Sequence, residues 1–141
     1  MTVTLLFDHA TMTGVISDPR HQFLLGLEAN FRLAVGSPVV VDEPNFPIVE
    51  LRQWLDWWLS QGADLDFVYT SIEAEETGLI VFRQSTGSDW IVDSAWSSLS
   101  AAPTVDYSTL IAACQRYVHD VDEWVAAQYG VDLGQLLGNL R

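Results

Sequence analysis

Over the first 41 residues, the pattern of hydrophobic and polar positions indicates mainly extended segments. Residues 2 to 7 are apolar and β-branched, and the run from Phe23 to Val35 alternates imperfectly between apolar and polar positions. Gly36-Ser37-Pro38 separates that run from Val39-Val40-Val41, and such a connector between extended segments is typical of a hairpin turn. We therefore predict an antiparallel meander for this part of the chain.

The pattern changes to helical spacing after Pro47. Residues 48 to 59 repeat apolar positions every three or four residues, Pro47 suits the first turn of a helix, and Gly62 suits its end. The predicted buried stripe consists of Ile48, Leu51, Leu55, Trp58 and Leu59. Trp54 and Trp57 flank this stripe on opposite sides. At least one of them should therefore lie at the edge of the core or in an interface.

A second, longer helix is predicted near the end of the chain. Asp106 is a good N-cap, the apolar spacing continues to about Tyr129, and Gly130 suits the C-terminal cap. The predicted buried stripe consists of Tyr107, Leu110, Ile111, Cys114, Tyr117, Val118, Val121, Trp124 and Val125. Residues 131 to 140 could add a short final helix.

Three strands are predicted between the two helices, over Asp66 to Ala74, Gly78 to Arg83 and Asp89 to Trp96. Short polar linkers join them, which indicates an antiparallel arrangement. The chain thus reads as strands, helix, strands and helix. We expect a single α+β domain over residues 1 to 141, with an antiparallel sheet and two main amphipathic helices packed on one face.

Acidic residues dominate the charge of the chain. Asp and Glu number 19 against six Arg and no Lys, which gives a formal net charge of -13. Such a charge repels nucleic acid phosphates and anionic membrane surfaces, and it steers basic proteins toward the chain. We therefore expect a basic protein partner, no nucleic acid and no membrane. The N-terminal residues lack a secretory signal, and no apolar run reaches the roughly 20 residues of a membrane span, so we expect a cytoplasmic protein.

An acidic cluster is the predicted partner-binding site. Glu73, Glu75 and Glu76 end one predicted strand and form the following turn, and Asp89 and Asp93 could lie nearby. A solvated rim that only keeps the domain soluble is the alternative to a patch that recognises basic side chains. Trp96 belongs to the same predicted site, where an exposed aromatic side chain would anchor a partner.

No sequence motif indicates catalysis. His119 and Glu123 lie one helical turn apart, but no third ligand follows at a recognisable spacing, so no metal site is predicted. Cys114 falls on the apolar stripe of the last helix, which indicates a buried thiol rather than a nucleophile. The sequence contains no nucleophile elbow and no phosphate-binding loop. We expect a protein that is not an enzyme and that needs no cofactor.

Several segments occur in a suggestive order between Val39 and Trp124. They are Val41-Asp42-Glu43-Pro44 at the end of a strand, the helix of residues 48 to 59, Phe67-Val-Tyr-Thr-Ser-Ile-Glu, Gly78-Leu-Ile-Val-Phe, Trp90-Ile-Val-Asp-Ser-Ala-Trp, and the final amphipathic helix. This layout resembles that of small acidic bacterial immunity proteins, the cytoplasmic antidotes of polymorphic or contact-dependent toxins. The resemblance implies a stoichiometric inhibitor that covers a basic toxin surface, and it assigns no individual residue a role.

A stand-alone regulatory or structural domain is the alternative interpretation. Such a domain would bind itself or an unrelated partner, and it would also lack catalytic activity. Self-association therefore stays open beside the binding of a basic partner.

Overall fold

The computed structural model describes residues 2–14, 18–71 and 77–138. In chain order the strands are β1 (Val3–Met12), β2 (Leu27–Val35), β3 (Val39–Pro47), β4 (Phe67–Tyr69), β5 (Ile80–Gln84), β6 (Asp89–Asp93) and β7 (Thr104–Asp106). The helices are α1 (Pro19–Gly26), α2 (Ile48–Ser60), α3 (Tyr107–Tyr129) and α4 (Leu133–Leu137). Antiparallel strands with separate helices confirm the predicted α+β class.

The strands form two sheets. Sheet A has the order β1-β2-β3, sheet B has the order β4-β5-β6-β7, and every neighbouring pair is antiparallel. The predicted hairpin at Gly36 joins β2 to β3. The three predicted central strands correspond to β4, β5 and β6, but β4 ends at Tyr69 and β6 ends at Asp93, and residues 72 to 74 of the first prediction lie outside the described residues. The short strand β7 was not predicted, and it follows a stretch of small and polar residues.

The prediction of one strand from Phe23 to Val35 is wrong for its first four residues. Residues 19 to 26 form helix α1, and strand β2 begins only at Leu27. The Asp18 side chain accepts a hydrogen bond from the Arg20 backbone N–H at 2.9 Å, and Pro19 occupies the first turn. An acidic cap followed by proline starts a helix, and this local signal outweighs the irregular alternation that follows.

The two main helices form as predicted. Helix α2 begins at Ile48, α3 begins after its N-cap Asp106, and Gly130 ends α3 in the left-handed conformation with φ +66°. Helix α2 contacts both sheets. Its Trp58 ring lies 5.4 Å from Phe67 of sheet B, while the same helix also packs against β2 of sheet A. Eight of its thirteen residues are buried, so α2 is part of the shared core.

A buried polar cluster joins three helices. Arg52 on α2 is 3% exposed and donates two hydrogen bonds to Asp122 on α3, with Nε to Oδ1 at 2.7 Å and Nη2 to Oδ2 at 3.0 Å. Its Nη1 donates to Gln53 Oε1 at 2.9 Å, and Gln53 Nε2 donates to the Leu137 carbonyl of α4 at 3.1 Å. The cluster fixes how α3 and α4 sit on α2, because a buried guanidinium needs these acceptors.

Within the described ranges, no helix combines the length and the apolar character that crossing a bilayer requires.

Candidate functional site

The predicted acidic site is only partly described. Glu73, Glu75 and Glu76 lie outside the described residues. Asp89 and Asp93 occupy opposite ends of the five-residue strand β6, and a rise of about 3.3 Å per residue separates them by roughly 13 Å. The structure therefore does not bring these two acids together as one cluster.

Asp93 is engaged by neighbouring groups. Its Oδ2 lies 3.6 Å from Arg83 Nη2, and its Oδ1 accepts a hydrogen bond from the Ser94 backbone N–H at 2.8 Å. About a third of its side chain is exposed, so it still contributes negative charge to the surface beside the turn that follows β6.

Trp96 lies in that turn and is 37% exposed. Its backbone N–H donates to Ser94 Oγ at 3.0 Å, and its ring meets Phe46 edge-on at a centroid distance of 6.4 Å. Phe46 itself is fully buried. Trp96 therefore presents one part of its ring to solvent while a fixed core ring supports the rest.

Trp54 and Trp57 are both exposed on α2, at 39% and 46% respectively. The sequence predicted that at least one of them would lie at the edge of the core or in an interface. Trp54 stands edge-on to Tyr69 at a centroid distance of 5.7 Å, so its ring lies at the core edge. The next residue, Trp58, differs because it is buried and donates its Nε1–H to the Leu65 carbonyl at 2.8 Å.

Buried rings connect these exposed positions. Tyr69 lies 6.0 Å from Phe46, so a continuous series of ring contacts runs from Trp54 through Tyr69 and Phe46 to Trp96. Trp57 follows Trp54 after one helical turn, so the two indoles lie on the same side of α2 and the predicted placement on opposite sides of the stripe is wrong. We call Trp54, Trp57 and Trp96 the exposed tryptophans. Two of them rest on the same packed aromatic base, which restricts their motion.

A buried carboxylate holds that aromatic base. Glu50 on α2 is 6% exposed, and its Oε1 accepts a hydrogen bond from the Tyr69 hydroxyl at 2.7 Å. Burial and the adjacent carboxylate charge raise the pKa of Tyr69, so the phenol keeps its proton and remains a donor. The hydrogen bond fixes the Tyr69 ring behind Trp54. Sequence reasoning assigned Glu50 no role, and its place between Ile48 and Leu51 of the buried stripe was the only signal.

Two further candidates offer little reactive chemistry. Cys114 is fully buried, and burial raises the pKa of its thiol, which disfavours the thiolate. His119 Nε2 lies 3.0 Å from Glu123 Oε2, and both side chains are more than 70% exposed. No group of three or more His, Cys, Asp or Glu side chains suited to a metal ion occurs in the part of the chain that the structure describes.

An open cleft lies on the outer face of sheet A. Its volume is about 590 Å³, and Asp8, Asn30, Asp42 and Glu43 are among the residues that line it. Arg32 also lines the cleft, and its Nη2 lies 3.0 Å from Asp42 Oδ2. The lining carries more negative than positive charge, in keeping with the whole chain.

Comparison with known proteins identifies one family. Residues 5–127 match the model of a family described as Domain of unknown function (DUF7878). No curated protein matches the chain, and no solved structure matches it either.

Proposed function

We propose that this chain, which belongs to the DUF7878 family of domains of unknown function, is an acidic domain that binds a basic protein. The observation that carries the proposal is the set of three tryptophans that remain 37 to 46% exposed on a chain of net charge -13. The family name assigns no activity, so the proposal rests on this surface.

Exposed tryptophans are suited to anchor a partner. An indole buries a large apolar area and carries one N–H donor, and tryptophan is enriched among the residues that dominate binding energy at interfaces. Trp54 and Trp96 rest on the buried rings of Tyr69 and Phe46. Because these supports hold the indoles in place, less conformational entropy is lost when a partner covers them.

Charge selects the kind of partner. A surface of this sign accelerates the approach of positively charged proteins and opposes the approach of acidic ones. Asp93 adds negative charge three residues before Trp96, where its carboxylate stays about a third exposed. We include Asp89, Glu73, Glu75 and Glu76 in the proposal as acids that strengthen the field around the partner.

The finer form of the proposal is an immunity protein. A stoichiometric inhibitor works by covering the functional surface of a toxin, so it needs complementary charge and anchoring side chains rather than reactive groups. The layout between Val39 and Trp124 supports this form through its resemblance to small acidic immunity proteins. The target would then be a basic toxin domain, such as a nuclease, in the cytoplasm.

Salt distinguishes this proposal from self-association. Binding to a basic partner weakens as salt rises, because salt screens the attraction between opposite charges. Association of two copies brings together two chains of the same charge, so screening strengthens it. The two interpretations therefore predict opposite responses to the same change.

The test is a pull-down with the tagged chain from a native lysate at low and at high salt, followed by mass spectrometry. We expect one basic protein, retained near equal stoichiometry at low salt and weakened at high salt. The double variant Trp54→Ala/Trp57→Ala should lower its retention at least about tenfold. The double variant Val39→Ala/Val68→Ala removes exposed apolar groups from strands β3 and β4 and serves as the matched control.

Two results would count against the proposal. Retention of the basic protein by the tryptophan double variant at the level of the control would exclude these side chains as anchors. Sedimentation that shows only self-association, increasing with salt, would favour the stand-alone domain instead.

A further inference from the structure

Strand β1 is an edge strand of sheet A, and half of its backbone groups point away from the sheet. The Gly36 N–H donates to the Thr2 carbonyl at 2.6 Å, and Val3 faces Val35 in the register. Facing residues in an antiparallel pair alternate between bonded and non-bonded positions. The backbone groups of Thr4 and Leu6 therefore bond to β2, and those of Val3, Leu5 and Phe7 point outward.

The first half of β1 lacks the protection that edge strands usually carry. Charged residues, proline, bulges or short length normally prevent an edge from pairing with another chain. Strand β3 carries Asp42, Glu43 and Pro44, while β4 and β7 are only three residues long. Residues 3 to 7 of β1 contain no charge and no proline, and Val3, Thr4 and Phe7 are strong strand formers.

Helix α3 runs beside this edge and leaves a groove. Two open clefts of about 390 and 420 Å³ follow one another between β1 and the helix. The residues of α3 that line them are Ser108, Thr109, Ala112, Ala113, Arg116, Asp120, Glu123, Trp124 and Ala127. Their spacing of three to four places them on one helix face, and three alanines leave space along it. We call this space the β1–α3 groove.

We propose that the β1–α3 groove binds an extended segment of a partner protein, which pairs with β1 as an added strand of sheet A. The outward N–H and C=O groups of Val3, Leu5 and Phe7 would supply the main-chain hydrogen bonds. Residues 2 to 7 provide about six positions opposite an added strand, which corresponds to a strand length of roughly 17 to 20 Å.

Charge decides which segment fits. Asp120 and Glu123 line the end of the groove next to Phe7, so a Lys or Arg of the added strand is favoured there. A second copy of this chain is disfavoured because both copies carry a net charge of -13. The groove uses different elements from those that carry the exposed tryptophans, and this proposal stands without the function proposed above.

The test uses a library of short random peptides displayed on phage and selected against the full chain. We expect the selected peptides to be rich in β-branched residues and to contain Lys or Arg. One selected peptide is then synthesised. In amide hydrogen exchange, the N–H groups of Val3, Leu5 and Phe7 should exchange at least about tenfold more slowly when this peptide is bound. The peptide should also shift the NMR signals of α3 residues that line the groove.

Groove-filling variants give the matched comparison. Ala112→Trp and Ala127→Trp place a large side chain into the two clefts without changing charge or removing a buried group. Each should weaken binding of a selected peptide at least about tenfold. Ala126→Trp makes the same change at an exposed position of α3 outside the groove lining, and its affinity should stay within about twofold of the unchanged chain.

Other results overturn the proposal. These are a selection that yields no specific peptide, equal binding by Ala127→Trp and Ala126→Trp, or protection at the exposed tryptophans with unchanged exchange in β1. Sedimentation that shows dimers, with protection of β1 in the absence of peptide, would assign the edge to a second copy and contradict the proposed occupant.

Discussion

At the scale of the residue, a few buried polar side chains position the larger elements. Arg52 is the clearest case, because its guanidinium is almost completely buried and bonds in a bidentate manner to Asp122 of another helix. Asp56 lies 3.6 Å from its Nη1 and gives a second, weaker carboxylate contact. Removing the partner of a buried charge is costly, since the charge that remains keeps its desolvation penalty.

We predict that Asp122→Asn lowers the free energy of unfolding by about 2 to 3 kcal/mol. The substitution keeps the shape of the side chain but replaces one acceptor oxygen with an NH₂ donor and removes the charge opposite Arg52. Denaturant unfolding measures the change. Asp120→Asn is the control, because Asp120 makes only a long, exposed contact of 3.8 Å with Arg116 and should change stability by less than about 0.5 kcal/mol. Equal effects of both substitutions would contradict the assigned role of Arg52.

The sequence predicted that Trp54 or Trp57 would lie at an edge, but it did not predict the buried polar residues of the same helix. Three tryptophans in five positions cannot share one helix face, so the periodicity alone predicted that Trp54 or Trp57 would reach an edge. Glu50, Arg52 and Gln53 are not members of the predicted apolar stripe, so helical periodicity did not predict their burial. Their burial follows from the position of α2 against both sheets, and that position depends on contacts distant in sequence.

At the scale of the element, caps decide where the helices start and end. Asp106 begins α3 by accepting hydrogen bonds from the Thr109 N–H at 3.2 Å and from the Ser108 hydroxyl at 2.7 Å. The bounds of α2 and α3 could be predicted because such signals lie within a few residues. The same kind of signal at Asp18 and Pro19 marks α1, and the alternation after Phe23 obscured it. Sheet A has three register shifts, and those near His9 and Asn45 have no comparable local signal in the sequence, although both residues have positive φ.

We predict that the stability contributed by the Asp106 cap disappears in acid. Hydrogen bonds from Ser108 and Thr109 lower the pKa of Asp106 from its ordinary 3.8 to about 2. A lowered folded-state pKa means that the charged carboxylate stabilises the fold above about pH 4, and that this contribution is lost as pH falls toward 2. Asp106→Ala should therefore have a lower Tm than the unchanged chain at pH 7, and the difference should shrink between pH 4 and pH 2.

Thermal unfolding followed by circular dichroism at several pH values measures this difference. Asp106→Asn is the control, since its side-chain oxygen still accepts from Thr109 but the side chain does not titrate in this range. Its Tm difference from Asp106→Ala should stay constant with pH. A constant difference between the unchanged chain and Asp106→Ala would show that the cap does not depend on the ionised carboxylate.

At the scale of the whole molecule, non-local pairing and total charge matter most. The α+β class followed from the order of predicted elements, but the division into two sheets did not. Strands β3 and β4 are separated by α2, and whether they pair depends on how that helix packs rather than on either strand's own residues. The total charge was readable from composition. Its distribution was not, because Asp89 and Asp93 are close in sequence but occupy opposite ends of one strand.

We predict that salt stabilises the folded chain. Nineteen acids and six Arg leave strong repulsion in the compact state, and salt screens repulsion between exposed charges. Between low and high NaCl the Tm should rise by roughly 2 to 5 °C, which corresponds to about 1 kcal/mol for a chain of this size.

The triple variant Glu43→Gln/Asp64→Asn/Asp89→Asn neutralises three acids that form no ion pair among the described residues. It should start from a higher Tm and gain less from salt, while Ser98→Asn, which leaves the charge unchanged, should keep the full response. A Tm that falls with NaCl would mean that attractive ion pairs such as Arg52–Asp122 outweigh the repulsion, and that the excess of acid has little effect on the stability of the fold.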